Sequence, residues 1–521
     1  MITYSFSEIG SKPLYQHLYY CLKKDITSGN LKENERLPSK RSFAKNLGVS
    51  VITVENAYAQ LLAEGYIYSI PKKGFFVEAI PDVMKMHYQE IPVTQEERLS
   101  FKKGILGVDR AAVSERDNTI AVSERSDMAA ISGKSDTPAI LADFASNRNH
   151  PDHFPFSVWA RLSKETMARD PHALMTPSPA NGVYELRYAI CQHLSAFRGM
   201  KVEPSQVIIG AGTEYLYSLL IQLLGYDKIY AIENPGYKKL YQIYKSHGVI
   251  CRAIPMDEKG VSMERLLESD TDVLHISPAH HFPTGIVTQI GRRYELLTWA
   301  AVSERRYIIE DDFDSEFRMV GRSIPMLQSI DMQGKVVYMN TFSKSLSSTI
   351  RISYMILPPE LAERFHKRLG FYSCTVSTFD QFTLAGFIEG GYFEKHINRM
   401  RTYYKNLQKR LIEHIKNGPA ASKAEIAEEE AGLHFLLKLK TSLTDREMVE
   451  KAKAMGYRVL TLSECYIRDG AETHEETAAA GCAESDRDNA AKDSHTLVIN
   501  YSGMEETQIP MINELLEQLC R

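Results

Sequence analysis

The chain has 521 residues and a formal net charge of −4, from 62 Lys or Arg and 66 Asp or Glu. Its length predicts roughly three to four compact units, and its 44% hydrophobic and 25% charged residues exclude a fibrous or wholly disordered chain. Apolar runs fall short of the ~18 residues of a membrane span and the N-terminus has no signal-peptide pattern, so we expect a cytoplasmic protein. Seven scattered cysteines without a CxxC pair indicate a reducing compartment and predict neither a disulfide framework nor a metal site.

The first 80 residues carry a small basic excess, with ten Lys or Arg against seven Asp or Glu, whereas the rest of the chain is acidic. This asymmetry makes the N-terminus the place to look for a nucleic-acid module. Within residues 12–80, apolar residues four apart predict a first helix; they are Leu14, Leu18, Leu22 and Ile26. Ser39 and Ser50 are each placed to cap a further helix, and Gly48 separates the two, which is typical of a helix-turn-helix.

The segment after the second of these helices predicts a β-hairpin. Apolar and aromatic residues at 66–70 and 75–77 are joined by the turn sequence PKKG. We interpret this hairpin as the wing of a winged helix that spans residues 12–80.

The rest of the chain divides into a linker and a large domain. Residues 81–140 are polar, charged and Ser-rich with little periodicity, so we interpret them as an interdomain linker. In 141–521, apolar runs alternate with longer helical segments, which predicts an α/β domain with a mainly parallel sheet and a smaller α/β subdomain at about 360–521. The candidate strands are 206–209, 228–232, 273–276, 307–310, 335–339 and 353–357.

Two motifs in the N-terminal unit, LPSKRSFAKNLGVSVITVENAYAQLLAEGYI at 37–67 and PKKGFFV at 71–77, resemble the GntR-type winged helix-turn-helix of bacterial transcription regulators. The resemblance implies that the second helix lies in the major groove of double-stranded DNA, while basic side chains on the preceding helix and the wing contact phosphates. The implied DNA-binding residues are Arg41, Lys45, Ser50, Thr53, Lys72 and Lys73. Family members often carry Arg after the capping Ser, where this chain has Val51. The alternative is a winged helix that binds protein and has a solvated basic face.

Five motifs mark the large domain: GAGT at 210–213, ENPGY at 233–237, SPAHHFPTG at 277–285, EDDFDSEF at 310–317 and NTFSKSL at 340–346. As a set and in this order they resemble fold-type I pyridoxal-phosphate (PLP) enzymes of the aminotransferase family. In such a fold, ligands bind at the carboxyl ends of parallel strands, where these motifs are predicted to lie.

The resemblance implies a role for each motif. Lys344 would be the catalytic lysine, whose amine joins the cofactor aldehyde. Asp311 would pair with the pyridinium nitrogen, and Tyr237 would stack on the ring. The cofactor phosphate would be bound by Gly212, Thr213, Ser343 and Arg351.

The two halves together resemble the MocR/GabR-like subfamily of GntR transcription regulators, in which a winged helix-turn-helix is fused to an aminotransferase-like domain. The resemblance implies a head-to-tail homodimer in which each DNA-binding domain rests on the partner's large domain. Three positions depart from efficient aminotransferases: Phe313 replaces a Tyr, Phe282 replaces the Asn before Pro-Thr-Gly, and Val498 stands where a carboxylate-binding Arg is expected. Lys239 and His281 are candidates for contacts with an effector.

Three hypotheses follow for the function. The first is a PLP-dependent transcription regulator that senses an amino acid, an amine or PLP at the Lys344 site. The second is a working PLP-dependent aminotransferase with an accessory DNA-binding domain, which would show multiple turnovers with an amino donor and 2-oxoglutarate. The third is a DNA-binding scaffold with an inactive cofactor site. The departures at Phe313 and Phe282 argue against optimised turnover.

Overall fold

The computed structural model describes residues 4, 13–70, 73–78, 140–146, 150–169, 171–318, 325–428, 432–468 and 493–520. Lys72 and the proposed linker, except for its last residue, lie outside this part of the chain. Within the described residues, no helix is long and apolar enough to cross a membrane.

The N-terminal unit contains three helices and a hairpin: α1 (Leu14–Thr27), α2 (Lys40–Leu47), α3 (Val51–Ala63), β1 (Ile67–Ile70) and β2 (Gly74–Val77). The Ser39 hydroxyl accepts the Ser42 N–H at 3.2 Å and the Ser50 hydroxyl accepts the Thr53 N–H at 3.1 Å, so both predicted caps are confirmed. Gly48 ends α2 at φ 65°, a left-handed conformation that glycine adopts without strain. The two helices and the antiparallel hairpin have the arrangement that the sequence predicts.

One apolar core joins the three helices to the wing. It contains Leu18 and Leu22 of α1, Phe43 of α2 and Tyr58 of α3, all fully buried. Leu14 is 44% exposed, so the first residue of the predicted apolar stripe lies outside this core. Leu14 is the first residue of α1, and the apolar residues that follow at the same spacing, Leu18, Leu22 and Ile26, are all buried.

Eight described strands of the large domain form a mixed sheet: β4 (Val207–Gly210), β5 (Ile229–Asn234), β6 (Ile250–Asp257), β7 (Gly260–Val261), β8 (Val273–Ile276), β9 (Tyr307–Asp312), β10 (Val336–Thr341) and β11 (Ser353–Ile356). Their order across the sheet is β4-β11-β10-β9-β8-β5-β6-β7. Neighbouring strands from β10 to β6 are parallel, whereas β11 is antiparallel to both of its neighbours. All six strands expected from the sequence are present. The strand β6 was missed because exposed residues interrupt its apolar run.

Helices cover both faces of this sheet. Ile209 of β4 packs in one core with Leu186 and Leu384, while the adjacent Ile208 packs in another with Leu216 and Phe365. The helices of the large domain are α4 (Phe156–Arg169), α5 (Pro171–Met175), α6 (Tyr184–Arg198), α7 (Thr213–Leu224), α8 (Lys238–Ser246), α9 (Met263–Glu268), α10 (Ile290–Ala301), α11 (Phe342–Ser345), α12 (Pro359–Leu369) and α13 (Thr378–Glu389).

A smaller sheet lies beside the large one. It contains β12 (Ala424–Ala427), β13 (His434–Leu439) and β15 (Thr496–Asn500). Next to it, β14 (Tyr457–Arg458) pairs with β3 (Ala142–Asp143), the first strand of the large domain. The helices α14 (Tyr392–Lys416), α15 (Asp445–Ala454) and α16 (Ile509–Leu519) pack around this sheet. Because β3 joins it, this layer combines residues near 142 with residues from the C-terminal part of the chain.

The winged helix rests on the large domain at the start of α10. The Ile290 N–H donates to the Glu64 carbonyl at 3.2 Å, and the Ile290 side chain is buried in the winged-helix core. Gly65 allows the close approach, because a Cβ atom there would lie 3.0 Å from the Cβ atom of Gln289. Tyr294 and Ile330 of the large domain also pack against this core, and Lys259 pairs with Glu78 at 3.9 Å, so the two units meet through several side chains as well as backbone.

Candidate functional site

The five motifs of the large domain meet at one edge of the large sheet. The strands β5, β8, β9 and β10 run parallel, so their carboxyl ends share that edge. β11 is antiparallel to both β10 and β4, so β4 runs in the same direction as β10 and also ends at that edge. The loops after these five strands carry the predicted cofactor residues.

Lys344 lies in the single turn α11, directly after β10. The Thr341 hydroxyl begins this turn by accepting the Ser343 N–H at 3.1 Å. Burial lowers the pKa of Lys344 to about 7, and the nearby Asp314 carboxylate opposes this shift in part. A large fraction of the amine is therefore neutral near pH 7, which is the form that attacks an aldehyde.

Asp311 lies at the end of β9 with its two carboxylate oxygens in different environments. The Tyr217 hydroxyl donates to Oδ2 at 2.8 Å, and Nε2 of His275 lies 3.4 Å from the same oxygen. Oδ1 is buried and has no hydrogen-bond partner. A buried acceptor without a partner is costly, so this oxygen suits a protonated ring nitrogen of a ligand.

Tyr217 and His275 were missed by the sequence interpretation. Tyr217 projects from α7, and His275 belongs to β8, where the Tyr244 hydroxyl lies 2.8 Å from its Nδ1 atom. Both side chains orient a carboxylate that is distant in sequence. No local motif marks them, although a His inside an otherwise apolar strand is an unusual residue that needs a polar partner.

Arg351 lies beside the N-terminus of α7, where the sequence predicts a phosphate cradle. Gly212, the residue before α7, has φ 90°, and a Cβ atom on it would lie 2.8 Å from Nη2 of Arg351. A guanidinium and the N-terminus of a helix therefore lie close together, an arrangement that suits an oxyanion. Ser343, a further residue predicted to bind the phosphate, lies in α11 next to Lys344. The Thr341 hydroxyl donates to its Oγ at 2.9 Å.

Glu214, which the sequence interpretation did not single out, bridges two of the predicted cationic residues. Its carboxylate accepts from Arg351 at 3.2 Å and also pairs with Lys239. The two cations lower the pKa of Glu214, with the Lys239 bond as the largest cause. Lys239, a candidate effector residue, is therefore engaged with a carboxylate of its own chain.

The remaining aromatic and imidazole candidates differ in exposure. Tyr237 is 54% exposed and its ring lies edge-on to Phe282, with 6.4 Å between centroids. His281 is buried, with Nδ1 2.8 Å from the Thr284 hydroxyl and Nε2 3.5 Å from the Glu233 carboxylate. Burial lowers the pKa of His281 to about 3 and raises that of Glu233 to about 8. Both groups are therefore neutral near pH 7, and His281 contacts its own chain.

A buried polar cluster connects the two sheets near Lys344. Nδ1 of His280 lies 3.0 Å from both carboxylate oxygens of Asp314, and the His280 ring lies 4.7 Å from that of His434 in β13. The space beside the His280–Asp314 pair is filled by Gly432, where an added Cβ would lie 1.9 Å from the His280 ring. We interpret the cluster as a polar contact between the large and small sheets.

Val498 lies in the middle of β15, paired with Leu436, and is buried. Its apolar side chain provides no charge for a carboxylate at this position. Phe313 likewise presents a ring without a hydroxyl, at 6.3 Å from the His280 ring.

The winged helix presents the predicted DNA-binding residues at its surface. Arg41, Lys45, Ser50 and Lys73 are exposed and Thr53 is half-buried, whereas Lys72 lies outside the described residues. A cleft of about 420 Å³ separates the start of α2 from the wing, and Arg36, Ser39 and Lys73 line it. Arg36, missed in the sequence interpretation, adds a second cation to this cleft.

Comparisons with known proteins agree with both halves of the chain. Residues 14–77 match the model of the bacterial regulatory proteins of the gntR family. The chain is 34% identical to the uncharacterized HTH-type transcriptional regulator YdeL of Bacillus subtilis over 91% of this chain and 94% of that protein. It is 32% identical to the probable rhizopine catabolism regulatory protein MocR of Rhizobium meliloti over 87% of each chain.

The large domain is similar to solved aminotransferase structures. The kynurenine aminotransferase of Pyrococcus horikoshii superposes with a TM-score of 0.60 at 21% identity, over 73% of this chain and 91% of that one. This similarity shows the fold, and it confirms the predicted fold class. The match to regulators along nearly the whole chain favours a regulator over an enzyme with an accessory domain. The chain therefore belongs to the MocR-type GntR transcription regulators, in which a DNA-binding winged helix-turn-helix is joined to an aminotransferase-like domain.

Proposed function

We propose that this chain is a cytoplasmic transcription regulator that holds PLP at Lys344 and changes its affinity for DNA when a small amine or amino acid, or PLP itself, occupies that site. The observation that carries the proposal is the unpartnered Oδ1 of Asp311, at the same sheet edge as the buried Lys344 amine. When bound, PLP would supply an aldehyde that condenses with primary amines and a ring that withdraws electrons.

The residues present fit this cofactor. Lys344 would hold it through the amine, Asp311 would accept from the ring nitrogen, and Tyr237 would cover one ring face. Gly212, Thr213, Ser343 and Arg351 would bind the phosphate, and Arg351 also pairs with Glu214 at 3.2 Å. Lys239 is paired with Glu214 and His281 is buried, so neither side chain is open to an effector in this structure. We therefore place less weight on their contact with an effector than on cofactor binding by Lys344.

The proposal of a sensor also depends on three positions where an aminotransferase has a polar or charged group and this chain has an apolar side chain. Phe313 and Phe282 have no polar group to stabilise a phenolate, and Val498 has no charge for an α-carboxylate. A site of this kind binds and orients an amine without the groups that speed turnover. Multiple turnovers with an amino donor and 2-oxoglutarate would instead support the working aminotransferase.

We further propose that Arg41, Lys45, Lys72 and Lys73 contact phosphates while Ser50 and Thr53 reach base edges. The exposure of Arg41, Lys45, Ser50 and Lys73, and the cleft between α2 and the wing, support this assignment. In the major groove, such polar side chains distinguish base pairs by hydrogen bonds.

A head-to-tail homodimer is the proposed assembly. The contact between the two units centres on Glu64, Gly65, Gln289 and Ile290, and the units are separated by about 60 residues of sequence, a length of chain that can span up to ~200 Å. The same contact can therefore form with the large domain of a partner chain. Light scattering at micromolar concentration tests the dimer, and a monomeric mass would contradict it.

The decisive experiment traps the cofactor. The full-length protein is mixed with PLP and reduced with borohydride, and the modified residue is found by mass spectrometry of its peptides. We expect modification at Lys344, none in Lys344→Ala, and no change in Lys367→Ala, whose side chain is 72% exposed on α12. Modification of a different lysine would reject this site.

A further inference from the structure

Two large apolar side chains are exposed on the first turn of α3. Val51 is 42% and Ile52 is 67% exposed. The opposite face of the same helix fills the winged-helix core, where Val54 and Ala57 are fully buried. Ile52 therefore points away from the core, and Val51 lies at the edge of the same exposed face.

The position of these residues indicates what covers them. In a helix-turn-helix, the N-terminal residues of the second helix meet base edges in the major groove. The first turn of α3 carries no charged residue, and Glu55 in the next turn is paired with Lys40 at 2.7 Å. Exposed Arg41, Lys45 and Lys73 lie on α2 and the wing, where phosphates are expected. An apolar patch within a basic surface matches a groove floor between two phosphate backbones.

We propose that Val51 and Ile52 contact the 5-methyl groups of thymine, so that the operator presents thymines to the first turn of α3. This inference rests on the proposed DNA-binding function. The thymine methyl group is the one apolar group that the major groove presents among the four bases. An Arg at position 51 would select guanine through O6 and N7, which Val cannot do. Adjacent helical residues point about 100° apart, so the two side chains reach different base pairs.

The test compares thymine with uracil, which lacks only the methyl group. Tight-binding duplexes are selected from a random pool with the full-length protein and are then resynthesised with uracil at one thymine at a time. We expect one or two positions in each half-site where uracil weakens binding about fourfold, the ratio that corresponds to burial of one methyl group. Because this substitution leaves the protein unchanged, its result does not depend on the folding of a variant.

Variants assign each thymine to a side chain. Val51→Ala and Ile52→Ala are expected to bind the thymine duplex about as weakly as the wild-type protein binds the uracil duplex. Each variant should lose the thymine preference at the one position that its missing side chain contacts, as in a double-mutant cycle. Leu14→Ala, which removes an apolar side chain 44% exposed on α1, is the matched control and should keep the full preference.

The outcomes separate this inference from the function on which it rests. Equal affinity for thymine and uracil at every position, or a thymine preference that survives both variants, overturns the contact. Failure of the protein to bind any duplex from the pool rejects the DNA-binding function itself. Val51→Arg offers a further measurement, because it should move the preference at one position from thymine towards guanine; an unchanged preference argues against the placement of Val51.

Discussion

Replacing Lys344 by Met is expected to stabilise the cofactor-free protein at neutral pH. Burial lowers the pKa of this lysine to about 7 from an ordinary value of 10.5. Each pKa unit corresponds to about 1.4 kcal/mol, so the buried lysine costs roughly 5 kcal/mol at pH 7 and below. Met has a similar length and no charge to desolvate, so it removes this cost and fills the same space.

The gain in the free energy of unfolding from Lys344→Met should decrease as the pH rises. Between pH 7 and 10.5 the unfolded chain holds one more proton at Lys344 than the native chain, so the stability of the wild-type protein rises with pH. The gain from Lys344→Met should therefore fall from roughly 5 kcal/mol at pH 7 to roughly 2 kcal/mol at pH 9. Above pH 10.5 the gain from the removed charge disappears.

Urea unfolding of the large domain at pH 7 and pH 9 measures both quantities. Lys238→Met is the control, because it makes the same substitution at an exposed lysine on α8. A Lys344→Met variant that is no more stable than the wild type at pH 7, or a gain that is the same at both pH values, would refute the reasoning.

Four further predictions concern the site and its coupling to DNA. Asp311→Asn should weaken PLP retention in dialysis about 10- to 100-fold, because it removes the charge that pairs with the ring nitrogen; unchanged retention would contradict the pairing. Gly212→Ala should add about 1–2 kcal/mol of backbone strain at φ 90° and push Arg351 aside, so PLP should leave this variant faster, as seen by absorbance. Lys73→Gln should weaken specific and random duplex alike and lower the salt slope by about 1, whereas Thr53→Ala should change sequence preference in a selection experiment. Operator DNA should shift the apparent effector affinity by the factor by which effector shifts DNA affinity, and identical titrations with and without operator would contradict a sensor at this site.

The local elements of this protein could be predicted from its sequence. Ser39 and Ser50 cap their helices through neighbours three residues away, and Gly48 ends a helix through its own backbone freedom. The central strands were recognisable because both faces of the sheet are buried, which makes each strand a mostly apolar run. The order of the five motifs placed Lys344 and Asp311 at strand ends.

Only the tertiary structure decided how these residues are held. Tyr217 lies 94 positions from the Asp311 that it contacts, and Glu214 lies 137 positions from Arg351. These contacts depend on the order of the strands and on how α7 packs on the sheet. Neither produces a repeating pattern of residues that could be recognised in the sequence. The tertiary structure also buries His281, a residue that the sequence alone suggested for an effector, and it leaves Ile52 exposed on a helix whose other face is core. Patterns within one helix or strand are readable from neighbouring residues, whereas the partner and the exposure of a side chain depend on contacts between segments far apart in the chain.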